Sequence, residues 1–251
     1  MAYSRGSSAN IIVGAAAFFV TNQGQLVNEL VNGVQPTGTV ALPGAVTGQS
    51  YKDTLSNGSV FRNVGYTNNG VDITFTPTFG DVTVDQLLDV AKLYKSGMQV
   101  TLKTSFAEAT LENLLLAIAQ KGAISGSTAT SAVWSETQVG NPTGTLGTAT
   151  LSEGGGIGVA AGSYIDLLSG DLGDYPVERS IVAVGPGNLT SLTPSNVVKD
   201  TVERIYVGYR AVSITNVTVS AKRDAATMFD VEFRLLPNDN GSYGKIIDRT
   251  Y

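Results

Sequence analysis

The chain has 251 residues, 42% hydrophobic and 15% charged, which is enough for one large β-rich domain or two small ones with a packed core. It contains no Cys and no His, which excludes disulfides, thiolate zinc sites, cysteine nucleophiles and the usual histidine base. Hydrolases of the Ser-His-Asp and Cys-His kinds are therefore excluded, while chemistry that needs only carboxylates stays open.

The net charge of −5 is concentrated in one segment. Between Gly122 and Glu178 the chain has no Lys or Arg, and the acidic residues there carry −6 together. These residues are Glu136, Glu153, Asp166, Asp171, Asp174 and Glu178. Two interpretations are open, a solvated acidic loop or a surface that avoids polyanions.

Residues 1–10 are small and polar, and Ile11 to Val20 form the first apolar run. The run follows Arg5 as the core of a signal peptide would, but no A-x-A-like cleavage site follows it. It is also too short to span a membrane. We expect a polar arm, a first β-strand, and a cytoplasmic product without a membrane anchor.

The next stretch is poor in regular patterns. Thr21 to Ser50 is rich in Asn, Gly, Val, Thr and Pro, which predicts a long loop with short extended pieces. A weak strand is predicted around Val60 and Phe61, and Asn69-Gly70 predicts a hairpin turn.

From Val71 to Phe79 apolar and polar residues alternate, which predicts a half-buried strand. Pro77 has no amide donor, so this strand should lie at a sheet edge or contain a bulge. Asp85 to Tyr94 then has helical spacing of its apolar residues, which predicts a helix.

Three carboxylates, Asp81, Asp85 and Asp89, are spaced four residues apart and would share one face of that helix. Such a row could perform acid–base chemistry or bind a hard cation. An exposed helix face is the simpler interpretation.

The stretch from Met98 to Gly122 organises the chain, because a strand pattern over Met98 to Phe106 is followed by a helix pattern over about 110–121. Thr110 suits the N-cap, and Lys121 and Gly122 suit the end. The predicted buried face of this helix consists of Leu111, Leu114, Leu115 and Ile118. Replacing Leu114 or Leu115 with Asp is expected to prevent folding.

Residues 123–175 are rich in Ser, Thr, Gly and Ala and form a second long insertion. The glycine-rich run Gly154 to Gly162 has the composition of a phosphate-binding loop. No strong strand precedes it and no GK[ST] helix start follows, so a hairpin loop is the preferred interpretation.

The C-terminal part predicts a short strand over Ile181 to Val184 and then an antiparallel meander. The strands of the meander are predicted over Val202 to Val212, Val217 to Ala221 and Phe229 to Leu235. Tyr206, Tyr209 and Arg210 could stack on bases, but alternating aromatic residues on a strand are more typical of core or cross-strand pairs.

Several stretches together resemble the major tail proteins of long-tailed bacteriophages, the subunits of the tail tube. They cover about half of the chain in the order that the family shows. No single stretch is a sharp motif, and their order together with the change from strand to helix after Phe106 carries the resemblance. The stretches are Gly70 to Pro77, Phe106 to Leu114, Tyr206 to Val212, Phe233 to Pro237 and Tyr243 to Asp248.

The resemblance implies a mainly β fold: an antiparallel β-sandwich or barrel, flanked by one principal helix at about 110–121, in a single domain over 1–251 with insertions at about 21–50 and 123–175. It implies hexameric rings that stack into a hollow tube, lined by strands from every subunit, through which the phage DNA passes without specific binding. It also implies location in the virion tail, contacts with tape measure, tail-tip and tail-terminator proteins, no catalytic residues, no cofactor and no metal.

A conduit for DNA should not bind it, since contacts between phosphates and Lys or Arg give affinity. We therefore expect acidic residues to line the lumen. The candidates are Asp72, Asp81, Asp85, Asp89, Glu153 and Asp166. The non-contractile tail is favoured over a contractile tail or a type VI-like secretion tube. A carbohydrate-binding or adhesive β-sandwich and a carboxylate-only enzyme are the alternatives of other classes.

Overall fold

The computed structural model describes residues 14–21, 25–29, 35–58, 60–83, 89–119, 176–187, 201–220, 223 and 226–251. Two helices occur there, α1 (Tyr51–Ser56) and α2 (Leu111–Ala117). The strands are β1 (Ala17–Thr21), β2 (Leu26–Asn28), β3 (Thr39–Ala41), β4 (Phe61–Asn63), β5 (Thr67–Thr83), β6 (Val90–Phe106), β7 (Arg179–Pro186), β8 (Val202–Ser213), β9 (Phe229–Leu236) and β10 (Gly244–Thr250).

The predicted mainly β, antiparallel fold is confirmed. One sheet contains the strands in the order β4-β1-β7-β8-β9-β6-β5. Strand β10 also pairs with β8: it pairs with residues 202–208, whereas β9 pairs with residues 210–213. Every pairing in this sheet is antiparallel. The pair β2 and β3 is parallel and forms a small second sheet.

The large sheet curls until strands that are not neighbours meet. The rings of Phe18 in β1 and Phe106 in β6 lie 5.8 Å apart, although three strands separate β1 from β6 in the sheet. Phe233 of β9 stacks 5.9 Å from Phe18. The sheet is therefore barrel-like, and these three rings lie in its inner core.

A short link closes the curled sheet. β4 and β5 stand at opposite ends of the strand order, yet only residues 64–66 separate them in the chain. The amide of Val64 donates to Phe18 in β1, and the carbonyl of Tyr66 accepts from Ala107 after β6. The side-chain amide of the buried Asn113 donates to the carbonyl of Val64 at 2.8 Å. The first turn of α2 thus holds the seam of the barrel.

A second apolar cluster, the outer core, covers the opposite face of β1, β7 and β8. Phe19, Val182 and Val207 pack there against Tyr51 and Leu55 of α1. β1 and β7 are buried on both faces, which explains why their sequences are nearly continuous apolar runs rather than alternating ones. β9 is buried on one face only and alternates.

Helix α2 begins as predicted, because the Thr110 hydroxyl accepts from the amide of Asn113. It ends at Ala117, before the predicted end at residue 121. Leu115 is fully buried, while Leu114 and Ile118 are only half-buried. The side chain of Leu111 lies outside the described part. Leu116 and Ala117, which the spacing did not select, join the inner core.

The predicted helix over residues 85–94 is wrong in its described part. Val90 to Tyr94 belong to β6 and pair with β5 as far as Thr83. Their apolar residues match helical spacing, but these side chains are exposed, so no buried helix face selects that period.

Asn69-Gly70 does not form a hairpin turn. Both residues have positive φ, 62° and 70°, and sit inside β5 where the pairing with β6 shifts between Asn68 and Val71. Asn and Gly tolerate positive φ, and here they form a β-bulge instead of a turn.

Three further elements differ from expectation. Residues 214–220 form no strand, and Val219 in them is exposed, so the predicted strand over Val217 to Ala221 is wrong in its described part, residues 217–220. Helix α1 and strand β10 were not predicted from the sequence. Pro77 does lie in the terminal strand of the sheet, as expected. The run Gly154 to Gly162 and residues 123–175 lie outside the described residues.

Candidate assembly surface

The most prominent surface feature is the outer part of the β5–β6 hairpin. The two strands pair from Thr67 and Phe106 to Thr83 and Val90, whereas β9 pairs only with residues 100–106 of β6. Residues 74–83 and 90–99, here called the ribbon, thus have no further strand neighbour within the described part of the chain. Both edges of the ribbon expose unpaired backbone groups, which is the situation that favours pairing with another chain.

The ribbon also exposes large apolar side chains. Leu93 is 61% exposed and Phe79 is 58% exposed. Half of the large exposed apolar residues in the described part of the chain lie here, namely Phe75, Phe79, Val82, Val90, Leu93 and Tyr94. A two-stranded ribbon is marginally stable alone, and a concentration of apolar surface of this kind is typical of an interaction site.

The two faces of the ribbon differ in chemistry at its base. On one face lie Thr74, Thr76, Thr78 and Gln99, all exposed, here called the threonine face. On the other, Ile73, Phe75 and Met98 turn toward the mouth of the barrel. Nearer the tip Tyr94 covers Gly80, so both faces carry apolar groups there.

An apolar cavity of about 370 Å³ opens between the ribbon and the β8–β10 pair. Its walls are formed by Ile73, Phe75, Met98, Tyr206, Tyr243 and Ile246, among others. The hydroxyl of Tyr243 donates to the carbonyl of Met98 at 2.7 Å and so ties the cavity wall to β6. The outer edge of β10 has no strand partner among the described residues, so the ribbon is flanked by another free edge.

Some of the charges near this surface are paired, whereas Arg234, opposite Thr101, is exposed. Lys103 stands opposite Asp72 across the strands, and its ammonium lies 3.0 Å from the carboxylate of Glu232. The hydrogen bond from Lys245 lowers the pKa of Glu29, and the hydrogen bonds to Glu178 raise the pKa of Arg210. Of these pairs, the contact between Lys103 and Glu232 neutralises part of the charge on the barrel wall next to the ribbon.

The acids predicted to line a lumen are only partly located. Asp72, Asp81 and Asp89 are exposed on or beside the β5–β6 hairpin. By strand alternation, Asp81 faces away from the side that carries Asp72. Asp85, Glu153 and Asp166 lie outside the described residues. A shared helix face for Asp81, Asp85 and Asp89 is not formed, since Asp81 lies in a strand and Asp89 directly precedes one.

The proposed base-stacking group is not assembled. Tyr209 is 2% exposed in the outer core, and burial raises its pKa. Arg210 is bound by Glu178 through two hydrogen bonds of 2.8 Å. Tyr206 alone of the three lines the apolar cavity.

A buried ionic group, which the sequence reasoning missed, fixes β10 and α1 to the barrel. Glu203 of β8 accepts from the hydroxyl of Ser50 at 2.8 Å and from the amide of Tyr51 at 2.9 Å. The guanidinium of Arg249 lies 3.2 Å from the same carboxylate. The N-cap of α1 could be recognised from Ser50 followed by Asp53, but no local sequence pattern identifies Glu203 as the partner of Ser50.

Within the described residues, no group of acidic side chains is arranged to hold a metal ion. In the same residues, no helix has the length and apolar character needed to cross a membrane. No protein-family model matches the chain, and no curated protein matches it. The class is therefore defined by the fold alone, a mainly β, antiparallel, barrel-like protein with a long exposed ribbon.

Proposed function

We propose that this protein is the structural subunit of a bacteriophage tail tube, in which copies of the chain form hexameric rings that stack around a channel for DNA. The single observation that carries the proposal is the ribbon, whose free edges and exposed apolar side chains need a partner. Closure of a ring gives every copy the same partner and leaves no edge open.

The resemblance to major tail proteins supports this proposal from the sequence side. The stretches that carry it include Gly70 to Pro77 in β5 and Phe106 to Leu114 at the start of α2. In this proposal the protein has no catalytic role and is located in the virion tail, where it contacts tape measure, tail-tip and tail-terminator proteins. The non-contractile tail is the favoured setting.

Leu93→Asp is expected to suppress assembly while leaving the barrel folded. Leu93 is exposed in the isolated chain, so the change costs little there, but in a ring it would lose an apolar contact worth about 1.5–3 kcal/mol. That loss corresponds to an increase of about 10- to 100-fold in the protein concentration needed for assembly. Light scattering against concentration, with circular dichroism of the unassembled chain, measures both effects.

Val219→Asp is the matched control, because Val219 is 57% exposed and lies outside the ribbon. It adds the same charge and removes a similar apolar group. Normal assembly of the Leu93→Asp chain, or an equal loss in both variants, would contradict the role given to the ribbon.

A further inference from the structure

We infer that the threonine face of the ribbon lines the channel, which makes the lumen a surface of neutral hydroxyl and amide groups. This inference rests on the proposed function and adds to it the face that meets the DNA. At the base of the ribbon, Thr76 stands opposite Gln99, and Thr78 stands opposite Gly97. The side chains of Thr76, Thr78 and Gln99 are exposed and uncharged.

The orientation of the ribbon in the ring follows from the cost of burying the side chains on each of its faces. The edges of the ribbon lie in its plane and would pair with neighbouring copies, so its two faces must point to the inside and the outside of the ring wall. Phe75 and Met98 already turn toward the apolar cavity on the barrel side. Burying the hydroxyls of Thr74, Thr76 and Thr78 without partners would cost free energy, so their face is the one left to water.

The charges bordering the threonine face are few and of both signs. Lys103 lies between Asp72 and Glu232 and contacts the carboxylate of Glu232 at 3.0 Å. Arg234 of β9 is exposed and stands opposite Thr101, the strand neighbour of Thr74. Along the ribbon itself the next cation on this side is Lys92, beyond Gly80 and near the tip. A DNA duplex passing over Thr74 to Thr78 therefore meets no row of cations, only single cations at the two ends of the face, and the affinity that comes from counterion release is small.

This lining differs from the acidic one expected from the sequence. Of the located acids, only Asp72 has its side chain beside the threonine face, and it stands opposite Lys103. Repulsion of DNA by a ring of carboxylates is thus replaced by a surface that neither attracts nor repels a polyanion strongly.

Cysteine labelling tests the orientation directly, because the chain contains no Cys of its own. Thr76→Cys in assembled tubes is expected to react with a small maleimide and to be protected from a maleimide attached to a protein too large to enter the channel. Thr47→Cys, on an exposed loop before α1, is expected to react with both reagents, as both variants should when dissociated.

The outcomes separate the two proposals. Reaction of Thr76→Cys tubes with the large reagent, or failure to react with the small one, would overturn the orientation while the tube itself stands. If the unmodified protein forms no tubes, the proposed function is contradicted, and the inference about the threonine face falls with it.

A second measurement tests the neutral character of the lining. Tubes of the unmodified protein, assembled with a short DNA duplex, are expected to retain little of it after washing at about 100 mM salt, whereas Thr76→Lys tubes should retain at least about tenfold more and release it at higher salt. Strong retention by the unmodified tubes, or no gain with Thr76→Lys, would contradict a neutral wall in contact with DNA.

Discussion

Leu115→Asp is expected to abolish folding of this protein. Leu115 is fully buried in α2, and the helix holds the seam between β4 and β5 through Asn113. A carboxylate at residue 115 would be buried without a partner, at a cost of several kcal/mol, comparable to the whole stability of a domain. Loss of the β-sheet signal in circular dichroism and recovery of the chain in the insoluble fraction are the expected results.

Leu114→Asp provides the comparison. Leu114 is half-buried, so the carboxylate can reach water, and the structure separates two substitutions that the sequence treated as equivalent. We expect a folded chain with a midpoint of unfolding lower than that of the unmodified protein. A folded, stable Leu115→Asp chain would contradict the placement of α2 against the barrel.

Glu203→Ala is the second change with a large expected effect. Its carboxylate is 4% exposed and accepts from Ser50, from the amide of Tyr51 and from Arg249. Removing it leaves the start of α1 without its acceptor and the largely buried guanidinium of Arg249 without its anionic partner, which typically costs about 3–5 kcal/mol. The guanidinium keeps its hydrogen bonds to the carbonyls of Val46 and Gln49. Urea unfolding followed by circular dichroism measures the loss.

Glu178→Ala is the matched control for Glu203→Ala. Glu178 also forms an ion pair with an arginine, Arg210, but both side chains are about one-third exposed. Its removal should cost less than about 1 kcal/mol, because solvent screens exposed pairs. Equal losses in the two variants would mean that the Glu203 group does not anchor β10 and α1.

The strands with one buried face could be predicted from the sequence. Residues 229–235 alternate between the inner core and solvent. The period of two in the sequence follows directly from the geometry of a strand with one buried face. The N-cap at Thr110 was equally readable, since a hydroxyl followed by an apolar helical repeat is a local signal.

The misassigned elements depend on partners that are distant in the chain. Val90 to Tyr94 became strand because residues 80–83 pair with them, and β10 formed because β8 offers its edge. Asn69 and Gly70 signalled a positive φ, but whether a turn or a bulge uses it depends on where the partner strand lies. Local periodicity contains none of this information.

The candidate surface was only partly accessible from the sequence. The resemblance suggested assembly, and Pro77 indicated an edge strand. The exposure of Phe79 and Leu93 could not be foreseen, because apolar residues in a strand pattern are normally assigned to a core. Likewise the separation of Asp72 from Asp81 on opposite sides of β5 depends on β5 continuing without an inserted residue from Asp72 to Asp81, which the sequence does not establish.

Electron microscopy of the purified, unmodified protein tests the central claim most directly. The ribbon proposal predicts regular hollow tubes built of stacked rings, with six copies around a central channel in end-on views. Dispersed monomers at high protein concentration, with the ribbon free in solution, would contradict it.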